Sequence, residues 1–422
     1  LDWNTLPDLL ALTALVAVFF SLLPRRTDTS VRLWLGAWVL ILIHFAGKFC
    51  DGSGTTIVAE SFELGALDCA GLVFMWAAAC PKTRRREWLI FLAIAVPQVI
   101  YLEISLFPNV SQAVYVALAF ASFFIPAAVL ARAMANGRDR SLAICSCAVL
   151  AIAELLVVFD TPDPTNIASA IMTWVYLNAA ILYWRRLPRA TTGRVTTVGG
   201  FFAWSLVFPT AIVLPLWLPN VHIDDTAYNI PKYVVAIGII LMLLEEQMER
   251  SIFLATHDDL TGLPNRRLLD ERLESALRRA KRGRQKVALL TIDLDRFKAV
   301  NDSLGHSAGD DFLCIVAARF SERVRSTDTC ARLGGDEFIV VAEQLAHRGE
   351  ADVLARDLLA TLEEPIDLCG ETLYASASIG VAVFPDDASD AEGLYGISDS
   401  RMYAVKDRHH DTQPLLKKRS AG

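Results

Sequence analysis

Three carboxylates in this chain stand where chemistry on a phosphate could be done. Asp293 closes the apolar run Val287-Ala288-Leu289-Leu290-Thr291-Ile292, which reads as a buried strand. Asp336 and Glu337 follow the paired glycines Gly334-Gly335, between apolar runs at 329–333 and 337–343 that read as a hairpin. Carboxylates on adjoining strand ends make a hard-oxygen site that suits Mg²⁺ bridging the phosphates of a nucleotide, with Mn²⁺ as the alternative ion. The glycines let the hairpin backbone take φ > 0 and let a bulky ligand come close to it. Singly, each residue has a plainer use. Asp293 can cap a strand, Asn301 and Asp310 suit turns and helix N-caps, and Lys298 can be a solvated charge.

The elements that must position these groups follow in order. After the strand ending at Asp293 come a helix at about 310–325, the hairpin, a helix at about 350–363, a second hairpin spanning 366–384, and a helix at about 391–406. This β-α-β-β-α-β order with additions predicts the palm-like α/β sandwich of nucleotidyl cyclases and polymerases, an antiparallel sheet with flanking helices.

Gly334-Gly335-Asp336-Glu337-Phe338 resembles the signature after which GGDEF domains, the diguanylate cyclases, are named. Other segments fall in family order. His257-Asp258-Asp259-Leu260-Thr261-Gly262-Leu263-Pro264-Asn265-Arg266 resembles the opening signature. Asp293-Leu294-Asp295-Arg296-Phe297-Lys298-Ala299-Val300-Asn301-Asp302, with Gly305-His306 and Gly309-Asp310, resembles the metal and guanine segment. Ser378-Ile379-Gly380-Val381-Ala382 and Asp399-Ser400-Arg401-Met402-Tyr403-Ala404-Val405-Lys406 resemble the closing strand and helix. The resemblance implies that Asp293, the backbone carbonyl of Leu294, Asp336 and Glu337 hold the metal. Asn301 and Asp310 would read guanine, His306 would lie near the nucleotide, and Lys298 and Lys406 would neutralise the triphosphate. Phe297, Gly334 and Gly335 complete the expected substrate contacts. Asp336 and Glu337 are the expected catalytic pair, Asp336 helping to deprotonate the attacking 3′-hydroxyl. The implied reaction joins two GTP into cyclic di-GMP and two pyrophosphates, with two GGDEF domains facing each other in a homodimer.

Arg325-Ser326-Thr327-Asp328 matches the family's RxxD inhibitory site in sequence and offset, which implies product binding by Arg325 and Asp328. Its plainer reading is an Arg–Asp pair after a helix. One departure stands out: where the family has Gly after the final Lys, this chain reads Asp407-Arg408-His409-His410, which puts a phosphate contact in doubt.

The rest of the chain is of a different kind. Of 422 residues, 54% are apolar and 21% charged, and mean hydropathy is +0.38, which excludes intrinsic disorder and an ordinary soluble enzyme. Residues 1–247 hold 16 Lys/Arg and 17 Asp/Glu, and the shorter 248–422 holds 24 and 30. Nine stretches approach the roughly 20 apolar residues that cross a bilayer: about 6–23, 31–49, 57–80, 87–107, 111–131, 141–160, 166–184, 197–218 and 231–247. Odd-numbered connectors are basic (Arg25-Arg26, Arg84-Arg85-Arg86, Arg138 and Arg140, Arg185-Arg186) and even-numbered ones lack that excess. This alternation predicts a multi-pass protein of the inner (cytoplasmic) membrane, amino terminus outside and GGDEF domain in the cytoplasm. The first stretch reads as a span because eight more follow it. His44, Lys48, Glu60, Glu63, Asp68, Glu103 and Glu154 are ionisable within spans, so Glu60, Glu63 and Asp68 are a candidate sensory pocket, with snorkelling or pairing as the alternative.

The predicted divisions are a helical membrane bundle at 1–247, a helical linker at 248–256, the GGDEF domain at 257–410 and a tail at 411–422. Leu241, Leu244, Met248 and Ile252 recur at three and four, a short seam that suits a second copy's helix or a simple amphipathic connector. Eight scattered cysteines without CxxC spacing support neither zinc nor a disulfide framework. A net charge of −7 argues against a nucleic-acid partner. The expected partners are GTP, cyclic di-GMP, membrane lipid and a second copy. The alternatives are a catalytically weak GGDEF domain that serves as a receptor for GTP or cyclic di-GMP, and a transporter with a regulatory domain.

Overall fold

Long apolar runs satisfy their backbone groups away from water most simply as helices. The computed structural model describes residues 3–22, 29–50, 57–79, 85–107, 110–133, 164–186, 190–218 and 225–409. It divides into two compact units, Leu1–Glu246 and Gln247–Gly422.

The first unit is helical: α1 (Leu6–Leu22), α2 (Thr29–Cys50), α3 (Ile57–Ala79), α4 (Arg85–Ser105), α5 (Gln112–Ala133), α6 (Pro164–Arg186), α7 (Thr192–Trp217) and α8 (Ile230–Thr256). Helices thus form at eight of the nine predicted stretches, and the stretch at 141–160 lies outside the described residues. Among the described residues, four helical segments are long and apolar enough to cross a membrane: Trp3–Leu22, Thr29–Cys50, Trp88–Ser105 and Asn166–Arg185. The core shared by the helices of this unit is rich in aromatic side chains. Trp38 meets Phe74 edge-on, Phe74 meets Phe201, and the Trp34 indole donates to the Tyr183 hydroxyl at 2.6 Å. A buried ion pair joins α1 to α8: the Lys232 ammonium is 3.0 Å from Asp8, which also accepts from Asn229 and Tyr233. Glu154 lies outside the described residues.

In the second unit the end of α8 is followed by a turn, then α9 (Arg266–Gly283), β1 (Lys286–Leu294), α10 (Phe297–Leu304) and α11 (His306–Arg323). The chain continues through β2 (Thr329–Gly334), β3 (Glu337–Leu345), α12 (Arg348–Leu362), β4 (Ile366–Leu368), β5 (Glu371–Leu373), β6 (Ala377–Phe384) and α13 (Ala391–His409). The antiparallel sheet runs β2-β3-β1-β6. The predicted hairpin over 366–384 is corrected here. Cys369 and Gly370, both at positive φ, turn β4 straight into β5, and those two strands form a small sheet of their own. β6 is then free to pair with β1 in the main sheet.

Alternation along β1 builds the layers. Ala288, Leu290, Ile292 and Leu294 join Phe312, Val316 and Phe320 of α11 in one core. Val287 and Leu289 join Leu269 and Leu273 of α9 and Leu394 of α13 in the other. Asp293 shares the second face with Thr291, whose hydroxyl bonds Ser398 of α13 at 2.8 Å. A Cβ on Gly380 would overlap the backbone of Ser398 and Met402, so this glycine lets α13 lie directly on β6.

Asp387, after β6, ties three elements together. It accepts from Arg401 of α13 (2.8 Å), Arg348 of α12 (2.9 Å) and the Val383 amide (2.8 Å). The Arg401 hydrogen bond leads in holding its carboxyl well below the usual range; burial opposes this, and Arg348 and the amide reinforce it. A depressed carboxylate contributes stability that is whole above its unfolded pKa, about 3.9, and fades as pH falls through the folded value. Asp387→Asn should cost about 1–2 kcal/mol at neutral pH, since solvent screens the half-exposed guanidinium partners. Unfolding followed against pH should show a constant gap down to about pH 4 that narrows below it as the wild type protonates.

Candidate active site

The β1–β3 ladder sets the site. Asp293 pairs through Cα with Glu337 on one side and Ser378 on the other, and the Leu294 amide donates to the Asp336 carbonyl at 3.2 Å. The end of β1 and the β2–β3 turn are therefore one backbone unit. In that turn Gly334 has φ 144° and Gly335 φ 55°, both costly for a residue with a side chain.

The carboxylates gathered here repel. Burial raises the Asp293 pKa, the Lys406 hydrogen bond opposes it, and Asp336 adds to it. Glu337 is likewise raised, by burial first and then by Asp293, Asp399 and Asp336. Lys406, on α13, reaches Asp293 Oδ1 at 2.7 Å. Desolvation works against the ammonium, but the Asp293 hydrogen bond and charge outweigh it and raise its pKa. Among the described residues, no three His, Cys, Asp or Glu side chains are gathered into a metal cage. Mg²⁺ does not require one, because it keeps water and phosphate oxygens and takes only one or two carboxylates. Asp293, Asp336 and the Leu294 carbonyl suit that ion, and so does the excess of negative charge beside Lys406.

A second group forms at the elbow between α10 and α11. Gly305, at φ 85°, breaks the helix, and its amide closes α10 on the Asn301 carbonyl at 2.9 Å. His306 and Asp310 stand one turn apart on α11, both exposed. A Cβ on Gly309 would overlap Asn301 Oδ1, so Gly309 leaves room for the amide. Lys298 is exposed in the first turn of α10. Phe297, an expected substrate contact, has its ring buried and stacked on Phe312 in the core, centroids 6.1 Å apart. The first turn of α10 needs an apolar anchor there.

Arg325 and Asp328 lie elsewhere, before the start of β2, while Gly334 ends that strand six residues on, roughly 20 Å away. The Asp328 carboxylate is taken up by backbone: it accepts from the Arg325 amide (3.0 Å) and the Glu343 amide (3.1 Å). The Arg325 side chain is exposed, 3.9 Å from Glu350. Arg408 is exposed and bonds the Ala404 carbonyl at 2.9 Å, within α13, which runs on through the departure from the family pattern; His410 lies outside the described residues.

Sequence reading missed Arg332. Its guanidinium holds the Gly335 carbonyl with Nε (3.1 Å) and Nη2 (2.8 Å), and Nη1 meets Asp258 Oδ1 at 2.8 Å. Its own amide donates to the Pro264 carbonyl at 3.0 Å. The glycine turn is thus pinned to the segment 258–264. Burial works against the Asp258 carboxylate, yet hydrogen bonds from Thr261 and Arg332 outweigh it and lower its pKa. Arg332→Ala breaks a buried pair and should cost about 3–5 kcal/mol. Arg332→Lys keeps the charge without the fork and should cost about 1–2 kcal/mol. Wild-type thermal unfolding of Arg332→Lys would show that the fork on Gly335 contributes nothing.

Comparison with known proteins bears on the family of the second unit. Residues 255–412 match the family model described as "Diguanylate cyclase, GGDEF domain". Over 153 residues the chain is 44% identical to the diguanylate cyclase TpbB of Pseudomonas aeruginosa, covering 36% of this chain and 35% of that protein. Over 190 residues it is 40% identical to the bifunctional diguanylate cyclase/cyclic di-GMP phosphodiesterase MucR of the same organism, covering 42% of this chain and 28% of that protein. A solved structure of TpbB comprising only the GGDEF domain is 43% identical, with TM-score 0.36, and covers 36% of this chain and 89% of that one. The chain spans about a third of the length of these curated relatives or less. The signature residues on their glycine turn, the antiparallel sheet behind them and the family match agree that residues 255–412 form a GGDEF domain.

Proposed function

We propose that this chain is a membrane-bound diguanylate cyclase that condenses two GTP into cyclic di-GMP and two pyrophosphates. The observation that carries the reading is the convergence of Asp293, Asp336, Glu337 and Lys406 at the joined ends of β1 and β3. The carboxylates of Asp293 and Asp336, with the Leu294 carbonyl and Glu337 beside them, would hold Mg²⁺, or Mn²⁺ in its place. Bound there, the ion supplies positive charge to the phosphate oxygens of the reacting nucleotide. Asn301 and Asp310 offer guanine an amide and a carboxylate, a donor and acceptor pattern that adenine does not match. Lys298 and Lys406 offer positive charge to the triphosphate, and His306 stands at the elbow between α10 and α11.

One such site carries one GTP, so two domains must meet. The 3′-oxygen of each nucleotide attacks the α-phosphorus of the other, pyrophosphate leaves, and Asp336 accepts the hydroxyl proton. Leu244, Met248 and Ile252 are exposed on α8, a seam on which the same helix of a second copy can pack. The alternating charge of the connectors supports nine spans in the cytoplasmic membrane, with the amino terminus outside and the GGDEF domain inside.

Asp336→Ala should lower the rate of cyclic di-GMP formation by the full chain in lipid nanodiscs with Mg²⁺ and GTP. The loss should exceed the roughly 10–100-fold typical of outer-shell metal partners. ATP should not replace GTP. Wild-type rates in the variant would end the catalytic assignment.

We further propose that Arg325, with Asp328 shaping its turn, takes up product and restrains the enzyme. Initial rates against added cyclic di-GMP should fall in the wild type and fall less in Arg325→Ala, with rates at low product unchanged. Superimposed inhibition curves would reduce these residues to a structural turn.

A further inference from the structure

Within the first unit, α3 presents Gly65, Asp68 and Gly71 three residues apart, toward one side of the helix. The two glycines are notches. A Cβ on Gly65 would come within 2.7 Å of Glu103 Oε1 from α4, and one on Gly71 within 3.2 Å of the Tyr176 ring from α6. Two neighbouring helices therefore close in above and below Asp68, and the Tyr176 hydroxyl donates to the Leu67 carbonyl at 3.4 Å. Asp68 is fully buried, and neither of its carboxylate oxygens has a hydrogen-bond partner among the described residues.

A buried carboxylate in that condition must be neutralised. The same unit shows how it settles a buried acid when only cohesion is at stake: Asp8 is given Lys232, Asn229 and Tyr233. Asp68 is given a second acid instead, for Glu103 is near enough that the two charges oppose each other. Among the described residues, Tyr176 from α6 and Cys69 from its own helix also lie near it. α2, also packed on α3, carries its titratable groups Arg32, His44, Lys48 and Cys50 toward its ends.

We propose that Asp68 is the binding site for one compact monovalent cation, a proton or an alkali ion, taken up between α3, α4 and α6. Carboxylate, carbonyl and phenol oxygens are the hard donors such an ion prefers. Charge in a helical bundle of this composition marks function more often than cohesion.

The test uses the full chain in nanodiscs, with the apparent melting temperature as readout, so it does not depend on cyclase activity. One arm lowers the pH in choline buffer free of alkali ions. The other adds NaCl or KCl against choline chloride at fixed alkaline pH. The wild type should gain roughly 2–4 °C in one arm, and that arm identifies the ion. Asp68→Asn, which keeps the shape of the neutralised group, should fold, lack that gain, and melt no lower than the ion-free wild type. Glu103→Gln should fold and shift the wild-type midpoint to lower pH or higher salt. The same gain in wild type and Asp68→Asn, no gain in either arm, or a destabilised Asp68→Asn would overturn the site.

Discussion

The backbone ladder between β1 and β3 is the constraint on which the second unit's chemistry rests. Carboxylates do not gather of their own accord, and Asp293, Asp336 and Glu337 are brought together against their charge. What holds them is not any attraction among their side chains. It is a row of cross-strand pairs from Ala288–Ala342 to Asp293–Glu337, with apolar side chains buried on both faces of β1. The cohesion of the core is thus converted into local electrostatic tension at one end of a strand. Lys406 relieves part of that tension, and it arrives from a helix packed on the opposite edge strand.

The glycine turn shows the same division of labour. Gly334 and Gly335 permit a conformation that other residues resist, but permission does not select a single shape. Arg332 selects one, by closing on the Gly335 carbonyl and fastening itself to Asp258. The turn that carries two of the acids is held by a segment more than seventy positions earlier in the chain.

That division explains what could be read from the sequence. The strand ending at Asp293, the glycine hairpin and the helix bearing Lys406 were legible because each is a local pattern: an apolar run, a turn pair, a period of 3.6. The site residues could be placed on those elements one by one. Contacts between distant positions left no such trace. Nothing in the residue type or spacing of Arg332, or of Asp8 and Lys232, announces the contacts they make. A ligand contact and a core anchor use the same residue type, so the stacking of Phe297 on Phe312 left no trace in the sequence. The split of 366–384 into β4, β5 and β6 turned on a left-handed Cys369, a conformation its residue type does not announce.

The glycine at 380 has a wider consequence. Because α13 rests on β6 with backbone against backbone, helix and strand cannot change spacing independently. Met402, in that contact, and Lys406, on Asp293, lie one helical turn apart on the same face. Position 380 therefore acts as a gauge block, setting from the neighbouring strand how far an ammonium can reach. Substitutions that damage the charge balance of the site need not touch an acid, and a map of mutational tolerance for this domain would show an intolerant spot at a glycine whose nearest neighbours are helix backbone.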